Sequence, residues 1–243
     1  MTSTRQFFFI HVMKTAGTTF VNHLAQQFAV DAIYPSIKLD RRFPTDVEPK
    51  ISIPFLLALP PERHRSIQVY AGHFPYMVSE LLNRDLITCT ILREPVDRTI
   101  SVLKQFKRLE ERYRSLSLEA IYDDPYVYRH FVHNHQTKVF SLTAEDHPRA
   151  IVRPIAIDAE RLELAKANLA RVDVVGLTER YDDFIVELKR RFGWWHGGGP
   201  ALERRRLVSS EPWTATPTLR RRIADDNAYD LEFYEHATVL ARG

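Results

Sequence analysis

Lys14, Thr15, Ala16, Gly17, Thr18 and Thr19 bring one ammonium, one glycine and three hydroxyls into six consecutive residues. Where such a stretch links a strand to a helix, the main-chain N–H groups of the helix start, the threonine hydroxyls and the lysine all donate toward one place. That place binds a phosphate-like anion. A second anion contact is offered by Arg93, which follows an apolar run and precedes Ser101 by eight residues. A guanidinium grips phosphate in two-pronged fashion, and a serine two turns into the following helix can approach the same oxygens. His73 follows Gly72 at the end of a third apolar run. With an ordinary pKa of about 6.5, an imidazole exposed there is largely neutral near pH 7 and suits a general base.

The flanking residues predict the elements that hold these groups. Phe7 to Val12 reads as a buried strand, and Phe20, Val21, Leu24, Ala25 and Phe28 recur at helical spacing after the loop. A short second strand is expected at Ala32–Tyr34, followed by a proline-rich, mostly irregular segment from Pro35 to Arg65 with a short helix near Phe55–Leu59. A segment of that length either shapes a binding site or is a surface excursion without a role. Ser66–Tyr70 reads as the third strand, leading through Gly72 and His73 into a helix opened by Pro75. Leu86–Leu92 is the clearest buried strand. Pro95 then opens a long helix expected to turn Val96, Ile100, Leu103 and Phe106 inward and Arg98, Lys104, Lys107 and Arg108 outward. Ala159–Arg171 and Glu179–Phe192 read as helices around a last strand at Asp173–Leu177. Trp194 to Pro200 reads as a flexible turn, and Thr216 caps a final helix that breaks near Asp226–Asn227. Strands alternating with helices predict an α/β fold with a central, mostly parallel sheet, formed as one domain over residues 1–243.

The lysine precedes the only glycine of its loop, so the segment is not the G-x-x-x-x-G-K-[ST] loop of ATP-binding kinases. It resembles instead the 5′-phosphosulfate loop of the sulfotransferases that use 3′-phosphoadenosine 5′-phosphosulfate (PAPS), with Met13 where that family carries proline. The nearest variants are those of the carbohydrate sulfotransferases, including the heparan 2-O and 6-O enzymes. Leu92-Arg93-Glu94-Pro95-Val96-Asp97-Arg98 followed by Ser101 resembles the family's 3′-phosphate motif, and Gly72-His73 its general-base segment. Asn134-His135-Gln136-Thr137-Lys138 is similar to an Asn-x-Gln-Thr-Arg segment near the active site, and Asn227-x-x-Asp230 to a closing structural pattern.

The resemblance implies a P-loop-NTPase-like sulfotransferase fold, PAPS as donor and the desulfated nucleotide PAP as product, without a metal. It implies that Lys14, Thr15, Ala16, Gly17, Thr18 and Thr19 hold the 5′ end and Arg93 and Ser101 the 3′-phosphate. His73 and Lys14 would be catalytic, one of Arg204, Arg205 and Arg206 would cover the adenosine, and His135, Gln136 and Lys138 would touch the acceptor, a glycan or other hydroxylated molecule. Two other readings stay open: a P-loop-like kinase dependent on ATP and Mg²⁺, and a catalytically silent nucleotide- or partner-binding module of the same fold.

Composition sets the outer bounds. Lys and Arg exceed Asp and Glu by 34 to 31, so binding of anions depends on local placement rather than on net charge. The arginine runs at 204–206 and 220–222 are short and lack interleaved aromatics, which disfavours nucleic acid as a partner. His133 and His135 lack a third ligand at a recognisable spacing, so no metal is expected. The single cysteine, Cys89, allows no internal disulfide and lies in an apolar run. Met1 to Gln6 is too short and polar for a signal peptide, and no apolar run approaches the roughly 18 residues of a membrane span. A soluble, bacterial-type enzyme in the cytoplasm is the expectation.

Overall fold

In the computed structural model, which describes residues 5–35, 48–195 and 213–242, five short runs form one parallel sheet. Its strands are β1 (Gln6–Ile10), β2 (Ile33–Tyr34), β3 (Val69–Tyr70), β4 (Leu86–Leu92) and β5 (Val174–Leu177), in the order β2-β3-β1-β4-β5. The central strands are continuous apolar runs because both faces of the sheet are covered. Phe7 and Phe9 pack with Phe20, Leu24, Phe184 and Leu188 on one face, while Phe8 and Ile10 pack with Tyr70, Phe74 and Phe140 on the other.

Helix α1 (Gly17–Gln27) carries the chain from β1 to β2. Three short helices, α2 (Glu48–Ile51), α3 (Ile53–Leu57) and α4 (Pro61–Ser66), precede β3, and α5 (Met77–Leu81) follows it. After β4 come α6 (Pro95–Leu109), α7 (Leu118–Tyr122), α8 (Pro125–Val127), α9 (His135–Ser141) and α10 (Ala159–Leu169). The chain closes with α11 (Tyr181–Phe192), α12 (Pro217–Asp226) and α13 (Ala228–Leu240). From β1 the chain moves to one side of the sheet, and from β4 to the other. The crevice of this α/β sheet therefore opens between the carboxyl ends of β1 and β4, where the loops carrying Lys14 and Arg93 begin.

Several local expectations differ from what forms. The third strand is only Val69–Tyr70, because Pro61 starts a helix that runs to Ser66. Arg98 and Lys107 do not face solvent. Helix α6 is covered on more than one side, so Arg98 lies wholly inside the protein and the Lys107 ammonium donates to the Arg114 and Leu116 carbonyls. Trp194 and Trp195 are no flexible turn; Trp194 packs edge-on to Phe7 at 4.5 Å between ring centroids, and Trp195 donates through Nε1 to the His23 carbonyl. Thr216 caps α12 as expected, its hydroxyl accepting from Leu219 N, and the helix breaks at Asn227.

The break at Asn227 orders the crevice from below. Its Oδ1 accepts from Asn134 N, while Asn134 Oδ1 accepts from Asp230 N. Asp230, wholly buried, accepts from Gln136 N, Thr137 N and the Thr137 hydroxyl, so it caps the first turn of α9 from another helix. Asp230→Ala strands three donors in the interior and removes a carboxylate whose charge favours the Arg98 guanidinium. The expected loss of stability is on the order of 3–5 kcal/mol, read as a fall in the urea midpoint at constant slope.

Candidate active site

Strand β1 ends at Ile10, and the turn that follows is strained. Lys14 (φ 70°) and Ala16 (φ 66°) both adopt the left-handed backbone that L residues disfavour by about 1–2 kcal/mol each. Alternating backbone hands turn successive N–H groups to one side, the geometry of an anion nest. No side chain caps α1 at Ala16, and its first turn holds no acidic residue. The leading N–H groups are thus open to an anion. Thr15 differs from expectation: its buried hydroxyl donates to the Val12 carbonyl at 2.9 Å, so it shapes the turn rather than reaching outward. Thr18 is exposed and Thr19 half-buried.

Arg93 stands one residue beyond β4, which pairs with β1 in register from Gln6↔Leu86 to Ile10↔Thr90. Its Nη1 lies 3.4 Å from the Lys14 carbonyl oxygen, to which it donates. The two anion-binding expectations therefore meet on one sheet edge. Gln136 clamps the main chain of Arg93, accepting from its N–H at 3.0 Å and donating to its carbonyl at 2.8 Å. Arg98 holds the Lys14 loop from inside, donating to the carbonyls of Met13 (3.2 Å), Phe131 (2.6 Å) and Val132 (3.4 Å). Ser101 is half-buried one turn beyond Arg98 on the same face of α6.

The electrostatics of this corner are one-sided. Among the described residues neither Lys14, Arg93 nor Arg98 pairs with a carboxylate within ion-pair distance. The nearest acid in sequence, Glu94, turns its side chain to the N–H groups of Val96 and Asp97. Burial, then repulsion from Arg108, Arg93 and Arg98, lowers the Lys14 ammonium to about 8. Burial lowers the Arg98 guanidinium to about 10. Arg98 has the buried Asp230 carboxylate as its electrostatic counterweight, whereas Lys14 and Arg93, unpaired with a carboxylate among the described residues, favour a ligand that brings negative charge.

His73 lies beside them. Gly72 makes the approach possible, since a Cβ there would meet the Lys50 carbonyl oxygen at 2.9 Å, and His73 N donates to that oxygen at 2.7 Å. The ring nitrogen Nδ1 lies 2.9 Å from the His11 carbonyl oxygen. A carbonyl only accepts, so Nδ1 carries the hydrogen and Nε2 keeps its lone pair. The His73 pKa falls below the ordinary value chiefly through burial, with Lys50 and Lys14 pushing the same way against the His11 carbonyl bond. A half-buried imidazole with a bare Nε2 can take a proton.

His135, Gln136 and Lys138 are buried beneath this corner. Gln136 is spent on Arg93, and the Lys138 ammonium donates to the carbonyls of His130 and Arg153, its pKa lowered to about 7 mainly by burial. They shape the floor of the crevice. Both ring nitrogens of His135 lack a partner among the described residues. Arg204, Arg205 and Arg206 lie outside the described residues. Lys50, brought against His73 by the α2 segment, carries no sequence signal of its own, while Arg98 is legible as the last residue of the Leu92–Arg98 motif but not as a buried anchor of the Lys14 loop. His11 is legible only as the last polar residue before the loop.

Among the described residues no cluster of three His, Cys, Asp or Glu side chains could hold a metal ion, and no helix is long and apolar enough to cross a membrane. No family model matches the chain, and no curated protein matches it. Among solved structures it is similar to the crystal structure of a sulfotransferase from Alicyclobacillus acidocaldarius, with 18% sequence identity over 98% of this chain and 96% of that one and a TM-score of 0.49.

Proposed function

We propose that the chain is a sulfotransferase that takes the sulfuryl group from PAPS to the hydroxyl of a glycan or another hydroxylated acceptor, acts in the cytoplasm and needs no metal. One observation carries the reading: the Lys14 loop and Arg93, cations without carboxylate partners among the described residues, meet at the ends of adjacent strands beside the bare Nε2 of His73.

PAPS, with an anionic group at each end of an adenosine, suits that charge. The donors of the 5′ end are the Lys14 ammonium, the main-chain N–H groups of Ala16, Gly17, Thr18 and Thr19 and the two outer threonine hydroxyls, while Thr15 supports the turn. Arg93 and Ser101 take the 3′-phosphate, with one of Arg204 to Arg206 over the adenosine. When bound, PAPS supplies a sulfuryl group that passes to the acceptor oxygen as its bond to the 5′-phosphate breaks. His73 Nε2 takes the acceptor's proton. Lys14 holds positive charge where negative charge grows on the leaving oxygen, an interaction stronger in the transition state than before it.

The experiment is an acceptor screen with sulfur-labelled PAPS over glycans, glycolipids and small hydroxylated compounds. Labelled product that persists in EDTA is the expected result. Tight binding of PAP with no product from any acceptor would overturn the enzymatic reading in favour of a silent binding module, transfer that stops in EDTA would overturn the metal-free reading, and labelled phosphate passed from ATP with Mg²⁺ in place of sulfuryl transfer would return the kinase-like alternative.

A further inference from the structure

His11 is the point where the anion loop, the end of β3 and the proposed base touch. Its ring lies 4.0 Å from that of His73 between centroids, tilted by 34°, and stacks on Phe9 at 5.0 Å. Its Nδ1 is 3.2 Å from the Ala71 carbonyl oxygen, and its own carbonyl receives the His73 Nδ1–H. The β1–β3 pairing ends at Phe8↔Tyr70, so the His11 side chain replaces the next rung of the ladder and joins the strand ends where His73 departs. On its other side it fills the space above Gly17, where any Cβ would overlap the imidazole. One side chain thus fixes both the first turn of α1 and the ring of His73.

We propose that His11 is the positioning residue of His73: its ring, packed on Phe9 and His73 and tied through Nδ1–H to Ala71, fixes the place of its own main-chain carbonyl, and that carbonyl holds the neighbouring imidazole in the single tautomer with Nε2 bare beside the Lys14 loop. This rests on the reading of His73 as the base. The Ala71 carbonyl only accepts, so His11 carries a hydrogen on Nδ1, as its neighbour does. Burial and His73 itself both depress His11's affinity for a proton. The other charged and titratable groups facing His73 are Lys14 from the loop, Lys50 from α2 and His135 from α9.

The test follows ¹⁵N-labelled histidine by NMR through a pH titration of the full chain, with kcat measured in parallel. In the unaltered protein His73 should show one neutral tautomer, protonated at Nδ1. His11→Ala should mix the two tautomers, move the His73 midpoint up toward that of a free histidine, and lower kcat about 10²-fold, the effect of an ångström-scale misplacement. His11→Asn, whose amide N–H can reach the Ala71 carbonyl, should recover part of both. An unchanged His73 tautomer and midpoint in His11→Ala would overturn the proposal, as would an Asn variant no better than Ala. If the Ala variant does not fold, His11→Phe fills the same volume without the Nδ1–H, and an unmixed His73 tautomer there is equally contrary. The spectra need neither donor nor acceptor, so absence of sulfuryl transfer in the unaltered protein would sink the enzymatic reading and leave this placement judged by the tautomer alone.

Discussion

Replacing His73 by Ala is expected to lower kcat about 10²–10⁴-fold, the range supplied by a well-placed general base. The control that separates chemistry from folding is His73→Asn. Its amide can still donate to the His11 carbonyl, as Nδ1–H does in the unaltered protein, but it offers no basic nitrogen at the Nε2 position. Both variants should fall together, with thermal midpoints near that of the unaltered chain. Burial, Lys50 and Lys14 place the His73 pKa below that of a free histidine. The base is therefore neutral above that depressed value, and kcat/KM should stay high through pH 7 and fall only as pH drops through it. An acid limb centred at or above the ordinary 6.5 would contradict the burial that defines this imidazole.

Lys14→Ala should cost kcat about 10²–10³-fold, comparable to removing one preorganised donor from a developing oxyanion. The sign of its pH dependence is fixed by its surroundings. With the ammonium lowered to about 8, kcat/KM should decline as pH rises through that value, because the free protein loses the charge that receives the donor. A bound dianion stabilises the ammonium, so the alkaline limb of kcat should lie higher than that of kcat/KM. Lys14→Arg removes the limb from the accessible range, since a guanidinium stays charged. An alkaline limb unchanged in the Arg variant would assign it to another group.

What was legible in the chain is what local chemistry decides. Phe7–Val12 and Leu86–Leu92 are apolar runs long enough to be buried on both faces, and they became the adjacent central strands that carry Lys14 and Arg93. The helix starts at Pro95 and after Thr216 depend on one or two residues and are readable for that reason. Contacts set from a distance were not. Arg98 sits on a helix whose apolar stripe marks only one covered face, and nothing local says that carbonyls of Met13, Phe131 and Val132 will converge on its guanidinium. Gln136 resembled an acceptor contact, yet its amide matches the N–H and C=O of Arg93 and closes on them. Lys50 and His11 reach His73 only once α2 and the strand ends are assembled.

The Lys14 turn and Arg93 are expected to grip opposite ends of one nucleotide. Calorimetric affinities of PAP and of its analogue lacking the 3′-phosphate, measured in EDTA for the unaltered chain and for Arg93→Ala, test it directly. The unaltered chain should bind PAP more tightly by about 1.5–3 kcal/mol, the worth of charge-assisted hydrogen bonds to a phosphate, and Arg93→Ala should lose most of that preference while holding the analogue as before. Equal preference for the 3′-phosphate in both proteins would place it elsewhere and contradict the account.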